Sequence, residues 1–251
     1  MTNAVHHLNC ATMAPRLAFG GRVTPERMVA HVLLIEGDQG LTLVDSGFGT
    51  EDIRTRRMGR GFITMMGAAL DPAETAVAQV RALGHDPADV TDIVLTHLDL
   101  DHAGGIGDFP QARVHVFADE LAAATQRMSV KEKNRYIPGQ WSHGPQWEEH
   151  QASGEEWLGF SSVKVIGEDV LMIPLVGHTR GHGGVGVRRP DGTWLLHAGD
   201  SYFSAGEKQT PPTCPSGLAA FQNFVQMDKK ARHENQDRLR ALHADHPEVT
   251  M

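Results

Sequence analysis

The sequence predicts an α/β domain built in layers, with two β-sheets covered on their outer sides by helices. Apolar runs typical of buried strands alternate with helical segments, which favours a layered arrangement. The apolar runs fall into two blocks, at about 29–45 and 162–198, and helix follows each block. The 251 residues suit one large domain, since domains commonly contain about 100 to 200 residues. We therefore expect a single domain over 1–251 with an insertion at about 129–160.

The first block predicts a β-hairpin. Residues 29–35 and 41–45 are apolar, and the sequence GDQG between them is a turn signal. Residues 51–70, rich in arginine, glycine and methionine, favour a solvated loop, with a flap over a site as the alternative.

A helix is expected from Asp71 to Leu83. Asp71 can cap it, Pro72 suits its first turn, Glu74 completes a capping box and Gly84 ends it. Strands are then expected at 92–96 and 112–117, followed by a helix at 118–128.

Residues 129–160 show no clear periodicity and contain Tyr136 and three tryptophans. We expect this insertion to form part of a pocket wall, with a surface flap packed on the core as the alternative. Further strands are predicted at 162–166, 170–175, 183–188 and 193–198, and a helical tail at 218–244 that breaks near 231–235.

The composition excludes several classes of function. The chain has 23 Lys and Arg against 31 Asp and Glu, a net charge of −8, which disfavours nucleic acid because phosphate binding needs a basic surface. No run of about 18 apolar residues exists, so we expect no membrane span. The N-terminus resembles no signal peptide, and we expect a cytoplasmic protein. Cys10 and Cys214 are interpreted as packing residues.

The segment LTHLDLDHAGG (95–105) carries the strongest functional signal. His97, Asp99, Asp101 and His102 follow an apolar strand within six residues. Imidazole and carboxylate groups suit zinc, iron or manganese. A polar loop with capping aspartates is the alternative, but it does not explain the two flanking histidines.

Three further motifs place polar groups at strand ends. VDSG contains Asp45, VGHTRGH contains His178 and HAGDSYF contains Asp200. Residues from separate strand ends converge at one edge of a sheet, as in many α/β sites. The sequence therefore predicts one metal centre.

Together these motifs resemble the metallo-β-lactamase superfamily over residues 29–251. The resemblance implies a four-layer αββα sandwich with two divalent metal ions at one edge. By motif, one ion would bind His97, Asp99 and His178, and the other would bind Asp101, His102 and a final histidine. Asp200 would bridge the ions, and Asp45 would orient ligands from behind.

The motif departs from the family at Asp99, where histidine is usual. A carboxylate adds negative charge there, so zinc is the first expectation and iron or manganese are the alternatives. The final histidine should follow a helix and a short strand, which we place at PEVTM (247–251). His243 and His246 precede that strand, so we expect the chain to continue beyond residue 251 and carry the ligand there.

The implied reaction is attack on a carbonyl by a metal-bound hydroxide, since bound ions lower the pKa of water to about 7. Asp101 is expected to orient the hydroxide and shuttle its proton. The layout resembles the lactonase branch, which predicts a small-molecule lactone or ester as substrate. Tyr202, Phe203 and Tyr136 are candidate pocket residues. The alternatives are a thioester hydrolase of glyoxalase II type, a β-lactam hydrolase and a non-catalytic metal-binding sensor.

Overall fold

Two β-sheets form the centre of the protein in a computed structural model that describes residues 1–16, 18–152 and 154–251. The six-stranded sheet has the order β1-β2-β3-β4-β5-β6, and the five-stranded sheet has the order β11-β10-β9-β8-β7. The strands are β1 (Thr2–Met13), β2 (Met28–Gly37), β3 (Gly40–Val44), β4 (Val90–Val94), β5 (Arg113–Phe117), β6 (Gln146–His150), β7 (Glu155–Trp157), β8 (Phe160–Ile166), β9 (Val170–Pro174), β10 (Gly183–Arg188) and β11 (Trp194–His197).

The α-helices of the described residues are α1 (Thr50–Thr55), α2 (Arg60–Met66), α3 (Ala76–Ala82), α4 (Ala118–Gln126), α5 (Val130–Arg135), α6 (Ser216–Val225) and α7 (Lys229–Asp245). Helices α3, α4 and α7 pack on the outer faces of the two sheets. Val80 of α3 and Leu121 of α4 share one apolar cluster with the first sheet, and Leu239 of α7 shares another with the second sheet. A third cluster joins the two sheets through side chains such as Val44 and Val185. The expected αββα sandwich is therefore confirmed.

The strand pairing brings the motif loops to one edge. Strands β2 and β3 form the expected antiparallel hairpin, while β3, β4 and β5 are parallel. Parallel strands end at the same edge, so Asp45 after β3 and the 95–105 segment after β4 are neighbours.

Strand β1 was not predicted. Its sequence, TNAVHHLNCATM, interrupts apolar positions with histidine and asparagine, as an edge strand with one partly exposed face allows. Residues 51–70 form α1 and α2 instead of the expected loop. The predicted capping box at Glu74 was also wrong: Thr75 caps α3, and the Glu74 carboxylate accepts from the backbone N–H of Thr12 at 2.7 Å.

The segment 129–160 is more regular than expected. It contains α5, and it supplies β6 to the edge of one sheet and β7 to the edge of the other. In the C-terminal region the helical break lies at residues 226–228, between α6 and α7, rather than near 231–235. Within the described residues, no helix combines the length and apolar character needed to cross a membrane.

Candidate metal centre

Asp45 binds the segment 95–105, the loop that carries the candidate ligands His97, Asp99, Asp101 and His102. It is fully buried at the end of β3 with a φ of 60°. Its carboxylate accepts from the Thr96 backbone N–H at 2.8 Å and lies 2.8 Å from His102 Nδ1. If Nδ1 carries the proton it donates to Asp45, and His102 Nε2 is left free to coordinate a metal. Burial opposes ionisation, but the charge and hydrogen bond of His102 outweigh it and lower the pKa of Asp45.

Asp200 lies between two groups of histidines. Its Oδ1 is 3.3 Å from His102 Nε2, and its Oδ2 is 3.3 Å from His178 Nε2 and 3.9 Å from His97 Nε2. The two carboxylate oxygens therefore face different potential ligand sets, as a carboxylate shared by two cations would. Asp101 Oδ2 lies 4.0 Å from His102 Nε2, on the His102 side.

The other ligand group is His97, Asp99, His178 and Asp200, whose ligand atoms lie within 4.8 Å of one another. His97 Nε2 is buried, has no hydrogen-bond partner among the described residues, and lies 3.4 Å from Asp99 Oδ2. A buried imidazole nitrogen left unpaired costs free energy unless a cation or donor satisfies it. The donor set, two imidazoles and two carboxylates, therefore fits a divalent transition metal.

Arg135 also enters this group, which the sequence did not predict. Its Nη1 donates to Asp99 Oδ2 at 2.7 Å and lies 3.1 Å from His178 Nε2. Its Nη2 donates to the backbone carbonyl of Val225. Burial opposes ionisation of Asp99, but the charge of Arg135, together with the charge of His97 and the hydrogen bonds of His178 and His97, holds the pKa of Asp99 well below its usual range.

Two buried residues outside the predicted set hold the ligand loops in place. Glu120 on α4 accepts from the backbone N–H of Leu98 at 2.9 Å and from that of Gly181 at 3.1 Å. It thereby links the loop of His97 to the loop of His178. His182 donates from Nδ1 to the Leu175 carbonyl and accepts at Nε2 from the Asp200 backbone N–H.

The charges of the centre shift two further groups. Burial opposes the charged form of His102, but Asp200, Asp45 and Asp101 together raise the pKa of His102 well above its usual value. Burial also raises the pKa of Asp101, and the neighbouring charges of Asp200 and Asp99 add to this effect.

A cavity of about 720 Å³ opens above the centre. Asp99, Asp101, His102, His178 and Asp200 form its polar floor. Its walls are largely apolar and include Met13, Met28, Leu33, Phe62, Met66, Leu100, Tyr202, Phe203, Phe221, Val225 and Met251. Helix α2 thus contributes to the cavity wall, as the flap alternative for residues 51–70 required.

Some of the predicted pocket residues line the cavity, and others are buried in the core. Tyr202 and Phe203 line it, and the Phe203 ring meets His178 edge-on at 5.6 Å. Tyr136 does not line it, because its side chain is buried in the core and its hydroxyl donates to Glu120 at 3.0 Å. The tryptophans of 129–160 likewise pack on core clusters, so that segment reaches the cavity through Asn134 and Arg135 instead.

The remaining candidate residues lie outside the centre. His246 ends α7 and its Nδ1 lies 3.0 Å from Glu248 Oε1. The short strand expected at 247–251 is reduced to one isolated bridge between Thr250 and Leu195 of β11, and Met251 lines the cavity. Cys10 is buried, and desolvation raises the pKa of its thiol, in keeping with a packing role.

Comparisons with known proteins agree with this architecture. The family model of the metallo-beta-lactamase superfamily matches residues 26–247. A probable metallo-hydrolase of Mycobacterium tuberculosis is 42% identical over 246 residues, covering 96% of this chain and 76% of that protein. The N-acyl homoserine lactonase AttM of Agrobacterium fabrum is 30% identical over 209 residues, covering 79% of this chain and 74% of the relative.

A solved N-acyl homoserine lactone hydrolase with the product N-hexanoyl-L-homoserine bound at its catalytic metal centre shares the fold. The TM-score is 0.75 at 17% identity, covering 100% of this chain and 92% of the other. With the histidine and aspartate motifs assembled at one sheet edge, this chain belongs to the metallo-β-lactamase superfamily and is a metal-dependent hydrolase.

Proposed function

We propose that the chain hydrolyses a lactone or a related ester in the cavity above the metal centre, using two divalent ions with zinc as the first candidate. The observation that carries the proposal is the position of Asp200, whose two oxygens face His102 on one side and His97 with His178 on the other. The similarity to AttM lactonases supports lactone substrates.

The ligands divide into two sets. His97, Asp99 and His178 would hold one ion, Asp101 and His102 the other, and Asp200 both. When bound, the ions lower the pKa of a water to about 7 and polarise the substrate carbonyl.

The protein groups then have distinct tasks. Asp45 holds the His102 ring so that Nε2 faces the centre, and His182 holds the backbone of Asp200. The Asp101 carboxylate lies at the cavity floor, with Oδ2 4.0 Å from His102 Nε2, where it can take a proton from the attacking water and return it to the leaving oxygen. The single bond between the carbonyl carbon and the alkoxy oxygen breaks. A lactone then gives one hydroxy acid, and an open-chain ester gives an acid and an alcohol.

The apolar walls suggest which substrates bind best. Met13, Phe62, Met66 and Phe221 line the cavity beside the polar floor. Burying each methylene of an acyl chain contributes about 0.8 kcal/mol. We therefore propose that an acyl or alkyl substituent of the lactone occupies this apolar part.

The test is elemental analysis combined with a substrate panel on one preparation. The panel contains lactones of increasing acyl length, a thioester and a β-lactam. We expect two transition-metal ions per chain, with kcat/KM highest for lactones and rising with acyl length. Preference for the thioester would replace our proposal with a glyoxalase II-type activity, and preference for the β-lactam would replace it with β-lactam hydrolysis. A metal-loaded chain that binds lactones without turnover would indicate a sensor.

A further inference from the structure

A second group of potential metal ligands lies where the β1–β2 pair meets the end of α3. In the strand register His6 pairs with Leu34 and Ala4 pairs with Glu36. His6 and Glu36 are therefore diagonal neighbours on one face of the sheet, within reach of long side chains. His85 follows α3, where its backbone N–H donates to the Val80 carbonyl, and its side chain reaches Glu36.

The group lies far from the candidate metal centre. Glu36 pairs with Leu41 near the start of β3, whereas Asp45 follows the end of that strand. Asp45 comes four residues after Leu41, a distance of roughly 13 Å at about 3.3 Å per residue. The two groups of ligands therefore cannot share an ion.

The three side chains converge on one point. Glu36 Oε1 is 2.6 Å from His6 Nε2 and 3.3 Å from His85 Nε2. The potential ligand atoms of all three residues lie within 4.8 Å of one another. The side chains of His6, Glu36 and His85 are 31%, 32% and 27% exposed, so an ion can enter from solvent.

We propose that His6, Glu36 and His85 bind a divalent transition metal of the zinc class, separate from the catalytic ions. Two imidazoles and one carboxylate are a donor set that zinc accepts, with solvent completing a tetrahedron. The three ligands come from β1, β2 and the turn after α3. The ion therefore ties the edge of the first sheet to the helix layer and stabilises the fold rather than the reaction.

The experiment titrates Zn²⁺ into the metal-replete chain by calorimetry. Glu36→Gln and His85→Ala remove a ligand, and His246→Ala is the matched control because it disrupts an exposed imidazole–carboxylate pair at 3.0 Å. We expect one zinc equivalent beyond the catalytic ions in the unmodified chain and in His246→Ala. The two ligand variants should not bind the extra zinc equivalent, and zinc should not raise their Tm as it raises that of the unmodified chain.

Two results would overturn the site: no extra equivalent in the unmodified chain, or zinc uptake by Glu36→Gln and His85→Ala that equals the uptake by the unmodified chain. Circular dichroism checks that each variant folds. If His85→Ala does not fold, the result for Glu36→Gln, which preserves side-chain shape, tests the site by itself. The proposal does not depend on the reaction, because catalytic metal content and turnover should be the same in all variants.

Discussion

The guanidinium of Arg135 donates from Nη1 to Asp99 Oδ2 at 2.7 Å, at the position where the family motif usually has a histidine. The same nitrogen lies 3.1 Å from His178 Nε2. Asp99 thus adds a negative charge to the ligand group, and the positive charge of Arg135 compensates it. An ion held by His97, Asp99 and His178 has to share the Asp99 carboxylate with this cation.

Replacing Arg135 should therefore strengthen metal binding and weaken the apoprotein. In Arg135→Met the largely buried Asp99 loses its counter-charge, and breaking a buried ion pair costs up to about 3 to 5 kcal/mol. We expect a lower Tm in chelator and tighter zinc binding in chelator competition. Arg127→Met is the control, because Arg127 is only partly buried, donates to the Lys133 carbonyl and does not line the cavity. Unchanged zinc affinity in Arg135→Met would contradict this competition.

Removing His102 should empty part of the metal centre. His102 Nε2 lies 3.3 Å from Asp200 Oδ1, and His102 Nδ1 lies 2.8 Å from Asp45. In His102→Ala one imidazole ligand is lost, so elemental analysis should show clearly reduced occupancy. His246→Ala should retain its metal. An unchanged metal stoichiometry in His102→Ala would remove His102 from the ligand set.

Asp101→Asn should reduce turnover far more than stability. Asn cannot take a proton from water, and losing a general acid or base typically costs about 10²- to 10⁴-fold in rate. We expect kcat to fall within that range while Tm changes little. Asp108→Asn is the control, since Asp108 accepts from the Thr50 backbone N–H and lies outside the ligand set. Comparable kcat values in Asp101→Asn and the unmodified chain would exclude Asp101 as the proton carrier.

Glu120→Gln should weaken metal binding without touching a ligand. The two carboxylate oxygens of Glu120 accept from the Leu98 N–H and the Gly181 N–H. In glutamine one oxygen is replaced by an NH₂ group, which cannot accept from either N–H. One of the two loops therefore loses its hydrogen bond. Changes to groups that orient metal ligands commonly cost about 10- to 100-fold in metal affinity, which chelator competition would measure.

Tyr136→Phe separates this effect from a general loss of packing. It removes only the hydroxyl that donates to Glu120, a loss of about 0.5 to 1.5 kcal/mol in stability. Zinc affinity should stay the same in Tyr136→Phe. If both variants lose affinity equally, Glu120 acts through the core rather than through the ligand loops.

His31 should make stability depend on pH in the weakly acidic range. Desolvation, followed by the charges of His197 and His7, lowers the pKa of His31 to about 4, against about 6.5 in an unfolded chain. Between those values the unfolded chain binds the extra proton, so His31 costs no stability above about pH 6.5 and progressively more as pH falls towards 4. Urea unfolding of His31→Gln should show a relative gain over the unmodified chain across this window. Parallel stability curves would show that His31 does not carry the effect.

The sequence predicted the layers and the residues at the strand ends because both depend on local patterns. Apolar runs bounded by glycine and turn residues marked β3, β4, β9 and β11, and the candidate site residues follow the ends of these strands. The chain direction of a strand then dictates which edge its following residue reaches. For that reason the amino-acid pattern alone predicts that His97, Asp99, Asp101 and His102 lie together.

Strand β1 and the helices of residues 51–70 were missed because their apolar positions are few and irregular. An edge strand with one partly exposed face and two helices of six and seven residues depend on packing against the rest of the domain. Their local sequences favour these conformations only weakly.

Only the tertiary structure decided what surrounds the ligands. Arg135 is 36 residues from Asp99, Glu120 is 61 residues from Gly181, and both contacts depend on how α5 and α4 pack against the sheet edge. Tyr136 shows the same limit, since it was expected to line the cavity, but its side chain is buried in the core and its hydroxyl donates to Glu120. The periodicity of a segment indicates which of its positions are buried, but the partner of a buried polar group is fixed by the packing of segments that are distant in sequence.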